Sequence, residues 1–348
     1  GVALSVLPLH HTYECTAGLL VALYQGCTIC HAESLRRIPE NLRETQATVL
    51  LGVPLLFESL YRRIENAIQE NGRHKFQIAK GIAAACEGIF GLNLRRRLFR
   101  KVHQNLGGHL ELFISGGAAI NPEVSKGFRD LGIDCIQGYG LTESAPIISV
   151  NRVDCLKDDS VGLPLPGFDI RIENGEIVVR GPSVMKGYYL NEEATKETIK
   201  NGWLYTGDLG YLDEDGFLHI SGRRKSVIVT PNGKNIYPEE IEMTLNQSPF
   251  ILESLVWGGP EETPDKVEVH AIVVPEMETF DSRYGPADYD EEKVKEVLIE
   301  EVKKYCKGLA PYKRVKNIVV RSQEFEKTTT RKIKRYLYME RARGPVTK

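Results

Sequence analysis

Long hydrophobic runs are missing from this sequence. No stretch approaches the roughly 18 apolar residues that a membrane-crossing helix needs. The most apolar region, TAGLLVALYQGCTIC, is interrupted by Tyr24, Gln25 and Gly26. An excess of one charge sign is missing too: a formal net charge of −2 over 348 residues gives no global reason to expect a nucleic-acid partner. A disulfide framework is absent. The seven cysteines are odd in number and scattered, so a reducing cytosol is the expected compartment. There is no internal repeat and no low-complexity tract. No initiating methionine is present either; the chain opens at Gly1 inside an apolar run, GVALSVLPL, and reads as a piece of something longer.

What is present is the composition of a soluble globular protein, 42% apolar and 26% charged. The length suffices for two or three domains. Up to about residue 145, strand-like runs (VALSVLPL, GCTICHA, ATVLLGVP, LELFISGG, IDCIQGYG) alternate with helical ones (HTYECTAGLLVALYQ, PLLFESLYRRIENAIQ, NLRRRLFRKVHQNL). That alternation predicts a parallel sheet covered on both faces. After about residue 150 the pattern changes to hairpins. FDIRIENGEIVVRG turns at Asn174-Gly175, and GDLGYLDEDGFLHISG turns at Asp215-Gly216. From GRRKSVIV onward an α+β pattern takes over. Pro238-Glu239-Glu240 opens a helix, ILESLVWG and VEVHAIVV are strands, and a helix covers 290–307 with Val294, Val297, Leu298, Val302 and Tyr305 on one face. The polar segment PEMETFDSRYGPADYDEEK reads as an exposed loop.

Five segments could carry chemistry. In QGYGLTES, Gly138 and Gly140 let backbone approach a ligand, Tyr139 offers a flat face for a purine, Thr142 can bond a phosphate and Glu143 can hold Mg²⁺. The plainer reading is a strand-to-helix turn that Thr142 caps. SGGAAINPE ends a strand on Ser115, makes a shelf of small residues and opens a helix at Asn121-Pro122. In WLYTGDLG, Asp208 follows a Thr-Gly turn and precedes a strand. It could accept from a ribose diol or merely close an Asx turn. GFLHISGRRKSVIVTPNGKNIYPEEIE places Arg223 and Lys225 where a hinge would lie, with a turn at Pro231-Asn232-Gly233 and the acidic trio Glu239, Glu240 and Glu242 at a helix start. EKTTTRKIKRYLY joins three threonines to a basic cluster, which suits an anionic surface or the delivery of one lysine to a phosphoryl group.

Two further patterns read as decoys. Cys27-Thr28-Ile29-Cys30-His31 spells a haem-attachment motif but lies in an apolar strand and reads as buried-strand cysteines. His10, His11 and Glu14 lack further ligands at a supporting spacing.

In this order, and together with VLPLHHTYE and GEIVVRGPSVMKGYYLNEEAT, these segments resemble the adenylate-forming (AMP-binding) acyl-CoA synthetases, especially the long-chain fatty acid CoA ligases. The resemblance runs over the entire chain. It implies an α/β fold in three parts: the parallel-sheet portion of a large adenylation domain (1–149), a small antiparallel β subdomain completing the adenylate site (150–224), and a mobile C-terminal α+β domain (225–348). It implies ATP, Mg²⁺ and CoA as cofactor and co-substrates, a fatty acid as substrate, and a cytoplasmic protein able to touch membranes peripherally. It assigns Gly117, Ala118, Tyr139 and Gly140 to the adenine, Thr142 to the α-phosphate and Glu143 to Mg²⁺. Asp208 and Arg223 fall to the ribose, and His11 to the junction of acyl pocket and pantetheine channel. Lys332 would reach the α-phosphate and the attacking carboxylate, Lys225 would be the hinge, and Gly233 would lie on the CoA side.

Two departures from the family pattern stand out. The Ser/Thr/Gly-rich phosphate loop would lie upstream of Gly1, so the chain alone is expected to be inactive or nearly so. Arg331 replaces the glycine usual before the catalytic lysine. Transfer to a carrier protein in place of CoA, or nucleotide binding without turnover, remain open alternatives.

Overall fold

The computed structural model describes residues 1–230, 233–259, 268–286, 288–328 and 332–338. Contacts divide the chain into two compact units. One takes in residues 1–206 and 210–220; the other takes in 207–209, 221–328 and, among the described residues, 332–338.

The first unit is built on a seven-stranded sheet. Its strands are β1 (Val2–Ser5), β2 (Thr28–His31), β3 (Val49–Gly52), β4 (Leu112–Ser115), β5 (Asp134–Gly140), β6 (Ile147–Val150) and β7 (Leu163–Pro164), in the order β2-β1-β3-β4-β5-β6-β7. From β2 to β5 neighbouring strands run parallel; β6 and β7 are added antiparallel. Helices return the chain between parallel strands, as that topology demands. The helix Pro54–Phe90 starts on a proline and ends on Gly91 at φ 63°. It is longer than the sequence pattern suggests. Gly72, at φ 116°, breaks the helical geometry within it, and the helix resumes beyond. The helix Pro122–Asp130 is capped by Asn121, whose side chain accepts from the Glu123 amide at 2.9 Å.

Aromatic side chains fill the space between these helices and the sheet. Phe57 meets Phe113 at 4.8 Å and Phe113 meets Phe128 at 4.6 Å, all three fully buried. Each such ring contributes ~1.5–3 kcal/mol by leaving water. Strand β2 forms one edge of the sheet, and Cys27 and Cys30 are half-buried. The expectation of buried cysteines there is corrected by that edge position, which leaves one side of the strand uncovered.

Strands β8 (Asp169–Glu173) and β9 (Glu176–Arg180) form the expected hairpin, with Asn174 and Gly175 at φ 50° and 80°. With β10 (Ile199–Lys200) and β11 (Trp203–Leu212) they make a sheet ordered β10-β11-β9-β8, and β12 (Leu218–Arg223) pairs with β11.

In the second unit, β13 (Ile228–Val229) pairs with β14 (Asn235–Ile236), and the helix Pro238–Leu245 follows. A three-stranded sheet of β15 (Ile251–Gly258), β16 (Val269–Pro275) and β17 (Val315–Val320) carries the helix Glu291–Cys306 on its core. Val294, Val297, Leu298 and Val302 are buried as expected. Cys306, not Tyr305, completes the buried face. The segment expected as an exposed loop holds a helix, Met277–Tyr284. Phe280 is its anchor, packed on Phe250 at 5.0 Å and Tyr289 at 5.5 Å. Among the described residues, no helix is long and apolar enough to cross a membrane.

Candidate active site

In an open α/β sheet, ligands bind beyond the carboxyl ends of the parallel strands. Several of the singled-out residues in the first unit lie there. β4 ends on Ser115, and Gly117 and Ala118 follow it as exposed residues, Gly117 at φ 87°. β5 is the neighbouring parallel strand, with Gln137 opposite Ser115, so Tyr139 and Gly140 stand just past the same edge.

A tyrosine that the sequence reading passed over ties a third segment to this edge. Tyr13 donates its hydroxyl to the Ile114 carbonyl at 3.0 Å. Its ring lies on Gly116, where an added Cβ would come within 2.6 Å of it. This fixes the segment carrying His11, whose Nδ1 accepts from the Tyr13 amide at 3.2 Å. Glu14, next in line, is fully buried, and that burial raises its carboxyl above the usual range.

The Gly-Leu-Thr-Glu-Ser corner is tightly made. An added Cβ on Gly140 would sit 1.8 Å from the Pro146 carbonyl oxygen, so only glycine fits this closure. Thr142–Ser144 form a 3₁₀ turn, not the start of a helix. The Ser144 hydroxyl donates to Pro146 O at 2.7 Å and accepts from the Leu141 amide at 3.1 Å. Thr142 therefore does not cap a helix; its side chain is exposed.

The turn is also pinned from outside. Met185 N donates to Glu143 O at 2.8 Å, and Ser183 Oγ donates to Ser144 O at 2.6 Å. Tyr188 donates its hydroxyl to Glu143 Oε1 at 2.9 Å. Thus GPSVMKGYY and LTES, two separate motifs in the sequence, form one structure. Tyr139 is only 8% exposed and packs with Ile148, Val161, Ile177 and Leu218, which leaves little ring face free.

The second unit holds the remaining candidates. Asp208 lies within strand β11, not before a strand as expected. The Thr-Gly irregularity survives as Gly207 at φ 72° inside it. The Asp208 carboxylate is buried and pairs with Arg223 at the end of β12, Nε to Oδ1 3.0 Å. Lys332 is an exposed residue whose ammonium is nonetheless desolvated. That desolvation, and then the like charge of Arg223, lower its pKa from the usual lysine value, while Asp208 opposes the shift. Lys225 is exposed on the 3₁₀ turn Arg224–Ser226. Gly233, at φ 73°, donates to Thr230 O at 2.8 Å and closes a turn. Pro231 and Asn232, and Thr329–Arg331, lie outside the described residues.

Among the described residues, no group of three or more His, Cys, Asp or Glu side chains is placed to hold a metal ion. Glu143 offers one carboxylate. Such a donor set does not suit a protein cage. It fits Mg²⁺, which keeps several waters and takes its other ligands from bound phosphates.

The comparisons with known proteins agree with this architecture. The family described as AMP-binding enzyme matches residues 1–189, and the AMP-binding enzyme C-terminal domain matches residues 240–332. The chain belongs to this family, and its fold is that of the adenylate-forming ligases. It is 35% identical to the long-chain-fatty-acid–CoA ligase FadD15 of Mycobacterium bovis over 79% of this chain and 47% of that protein. It is 31% identical to long chain acyl-CoA synthetase 1 of Arabidopsis thaliana over 80% of this chain and 45% of that one. The chain thus spans about half the length of these relatives. Among solved structures, O-succinylbenzoate coenzyme A synthetase of Bacillus subtilis in complex with ATP and magnesium matches with a TM-score of 0.68. The identity is 26%, over 96% of this chain and 60% of that one.

Proposed function

We propose that the protein activates a fatty acid, of long chain, as its acyl-adenylate and passes the acyl group to CoA. The observation that carries this reading is the Thr142–Glu143 turn at the carboxyl edge of the parallel sheet. It is held by Ser183, Met185 and Tyr188, so that a hydroxyl and a carboxylate are presented on a fixed backbone.

In the first half-reaction the fatty carboxylate oxygen bonds to the α-phosphorus of ATP and the bond to the β-phosphate oxygen breaks, releasing pyrophosphate. In the second, the CoA thiol gives up its proton, sulfur bonds to the acyl carbon and AMP leaves. Both steps depend on placing reactants and neutralising phosphate charge. In our reading Gly117, Ala118, Tyr139 and Gly140 border the adenine, and Thr142 hydrogen-bonds the α-phosphate. Glu143 holds the Mg²⁺, which when bound supplies positive charge to the phosphates. Asp208 accepts from the ribose hydroxyls, and Arg223 orients Asp208. Lys332 donates to the α-phosphate and the incoming carboxylate. His11 borders the passage of acyl group and thiol, Lys225 is the hinge, and Gly233 belongs to the CoA side.

The long-chain substrate and the CoA acceptor are supported by the names of the relatives. The full-length protein, supplied with ATP, Mg²⁺ and saturated acids of graded chain length, should release pyrophosphate in an acid-dependent manner and consume CoA. Pyrophosphate release without any dependence on acid, or consumption of a phosphopantetheinyl carrier in preference to CoA, would overturn the reading.

A further inference from the structure

The hairpin that carries Lys332 has an unusual foundation. Within it Lys327 bridges to Ile333, Thr328 N donates to Lys332 O at 2.8 Å, and Lys332 N donates to Thr328 Oγ1 at 3.2 Å. Its two feet are cations, and each stands on a carboxylate. Lys327 Nζ lies 2.7 Å from Glu253 Oε2, with the two side chains only 8% and 6% exposed. The other oxygen of Glu253 accepts from the Phe325 amide at 2.7 Å. Arg335, the second foot, places its guanidinium on Glu242 and also donates to Val256 O at 3.2 Å. Glu242 in turn accepts from the Val256 amide at 2.6 Å. Glu253 and Val256 both belong to β15, so one strand in the sheet anchors both feet.

Stability alone is a weak reason for this arrangement. Replacing a buried ion pair by apolar side chains of similar volume is often neutral or stabilising. What a pair of directional, charge-assisted contacts adds is geometry. Between the feet the chain must hold an ammonium in place for a reaction in which a displacement of about 1 Å costs about a hundredfold in rate.

We propose that Glu242 and Glu253 are positioning residues for Lys332, gripping the hairpin by Arg335 and Lys327 so that the ammonium is held ready for adenylate formation. This rests on the reading of Lys332 given above. Neither carboxylate touches substrate in this account; both act through the hairpin. Burial raises the Glu242 carboxyl to about 7, with the Arg335 charge and the Val256 amide opposing.

The test uses the full-length protein and follows the two half-reactions separately. Acid-dependent pyrophosphate release reports adenylate formation. CoA consumption from supplied acyl-adenylate reports thioester formation. Glu242→Gln and Glu253→Gln are each expected to slow the first by roughly 10- to 100-fold and the second by less than about threefold. In a Lys332→Ala background the same substitutions should cost less than about threefold in either step, because their effect passes through that lysine. Arg335→Met combined with Glu242→Gln removes both charges. It should return the melting temperature toward that of the unaltered protein and leave adenylate formation slow, which a purely structural role would not do.

Equal slowing of both half-reactions, full additivity with Lys332→Ala, or recovery of rate along with melting temperature would each overturn the clamp. If Lys332→Ala is crippling while Glu242→Gln and Glu253→Gln are silent, the clamp alone fails. If Lys332→Ala is itself silent, the role of the lysine fails and the clamp with it.

Discussion

Asp208 and Arg223 face each other from paired strands, the arginine Nε 3.0 Å from the aspartate Oδ1. The two differ sharply in exposure: the carboxylate is 5% exposed and the guanidinium 54%. The buried member has given up its water and depends on partners, while the exposed member remains hydrated. Asp208→Asn keeps the shape and removes the charge. A hydrogen bond to a charged group is worth ~1.5–3 kcal/mol, so the KM for ATP should rise by about ten- to a hundredfold. An unchanged KM for ATP in steady-state assays would remove Asp208 from the nucleotide site.

Glu143 and Tyr188 allow a second test. Tyr188 donates to one carboxylate oxygen of Glu143, at 2.9 Å. Glu143→Gln should raise the Mg²⁺ concentration needed for half-maximal pyrophosphate release by about tenfold or more, since a charged ligand is lost. Tyr188→Phe keeps the carboxylate and loses only the one hydrogen bond it accepts from the tyrosine, so its effect on the Mg²⁺ requirement should be smaller than that of Glu143→Gln. A titration in which the tyrosine matters more than the glutamate would contradict the assignment of the metal ligand.

Gly140→Ala should be disproportionately harmful. The new methyl would occupy the place of the Pro146 carbonyl oxygen, 1.8 Å away. The Leu141 amide could no longer keep its 2.9 Å bond to that oxygen, and the Thr142–Glu143 turn would move. We expect a melting-temperature loss of several degrees, or failure to accumulate soluble protein, with pyrophosphate release reduced further than stability explains. Gly202→Ala is the control. Its site offers nothing within 4 Å, so any harm there comes from its φ of 76° alone.

The pH dependence of adenylate formation should reveal Lys332. Desolvation and Arg223 place its pKa below the ordinary lysine value. The charged form is the one that stabilises phosphate, so the rate should fall as pH rises through that lowered value, earlier than a solvent lysine would allow. Lys332→Arg stays protonated throughout, and its slower reaction should lack that alkaline limb. Persistence of the limb in the arginine variant would assign it to another group.

Acid stability should depend on Asp158. Burial alone would raise its pKa, but hydrogen bonds from Arg129 and Ser125 overcome this and hold it below the usual value. The Arg129 fork grips both oxygens, at 2.6 and 2.5 Å. A carboxylate whose folded pKa is depressed contributes stability above its unfolded pKa, and that contribution is lost as pH falls through the folded value. Asp158→Asn should therefore lower the unfolding free energy at neutral pH by ~1–3 kcal/mol. The difference from the unaltered protein should vanish in strong acid. A pH-independent gap would point to packing instead.

Strands such as VLLG and ILESLVWG were legible because β-branched and aliphatic runs bounded by glycine and proline mark them, whereas β6 and β17 were not named from the sequence. The Asn174-Gly175 turn was legible because few dipeptides tolerate two positive φ angles. The helix at Met277 was not. Its only apolar anchors, Phe280 and Tyr284, sit in a polar, proline-marked context, and their partners Phe250 and Tyr289 lie outside the helix.

At the candidate site, residues inside short motifs could be named in advance, whereas their supports could not. Tyr13 earns its place through Ile114, about a hundred residues away, and local periodicity carries no record of such a pairing. Glu242 read as one of three acidic residues at a helix start. Its burial beneath Arg335 depends on a residue 93 positions further along the chain, beyond any local pattern.

The grip on the Thr142–Glu143 turn comes partly from Met185, and Met185 lends only its peptide N–H. Any residue except proline can lend the same group. Along GPSVMKGYY, descent with change should therefore be lenient toward side-chain identity at this position and strict about spacing. A one-residue insertion or deletion would carry the donor away from its carbonyl, while a change of letter would leave it in place. Drift in such a segment is recorded less faithfully by percentage identity than by the absence of gaps.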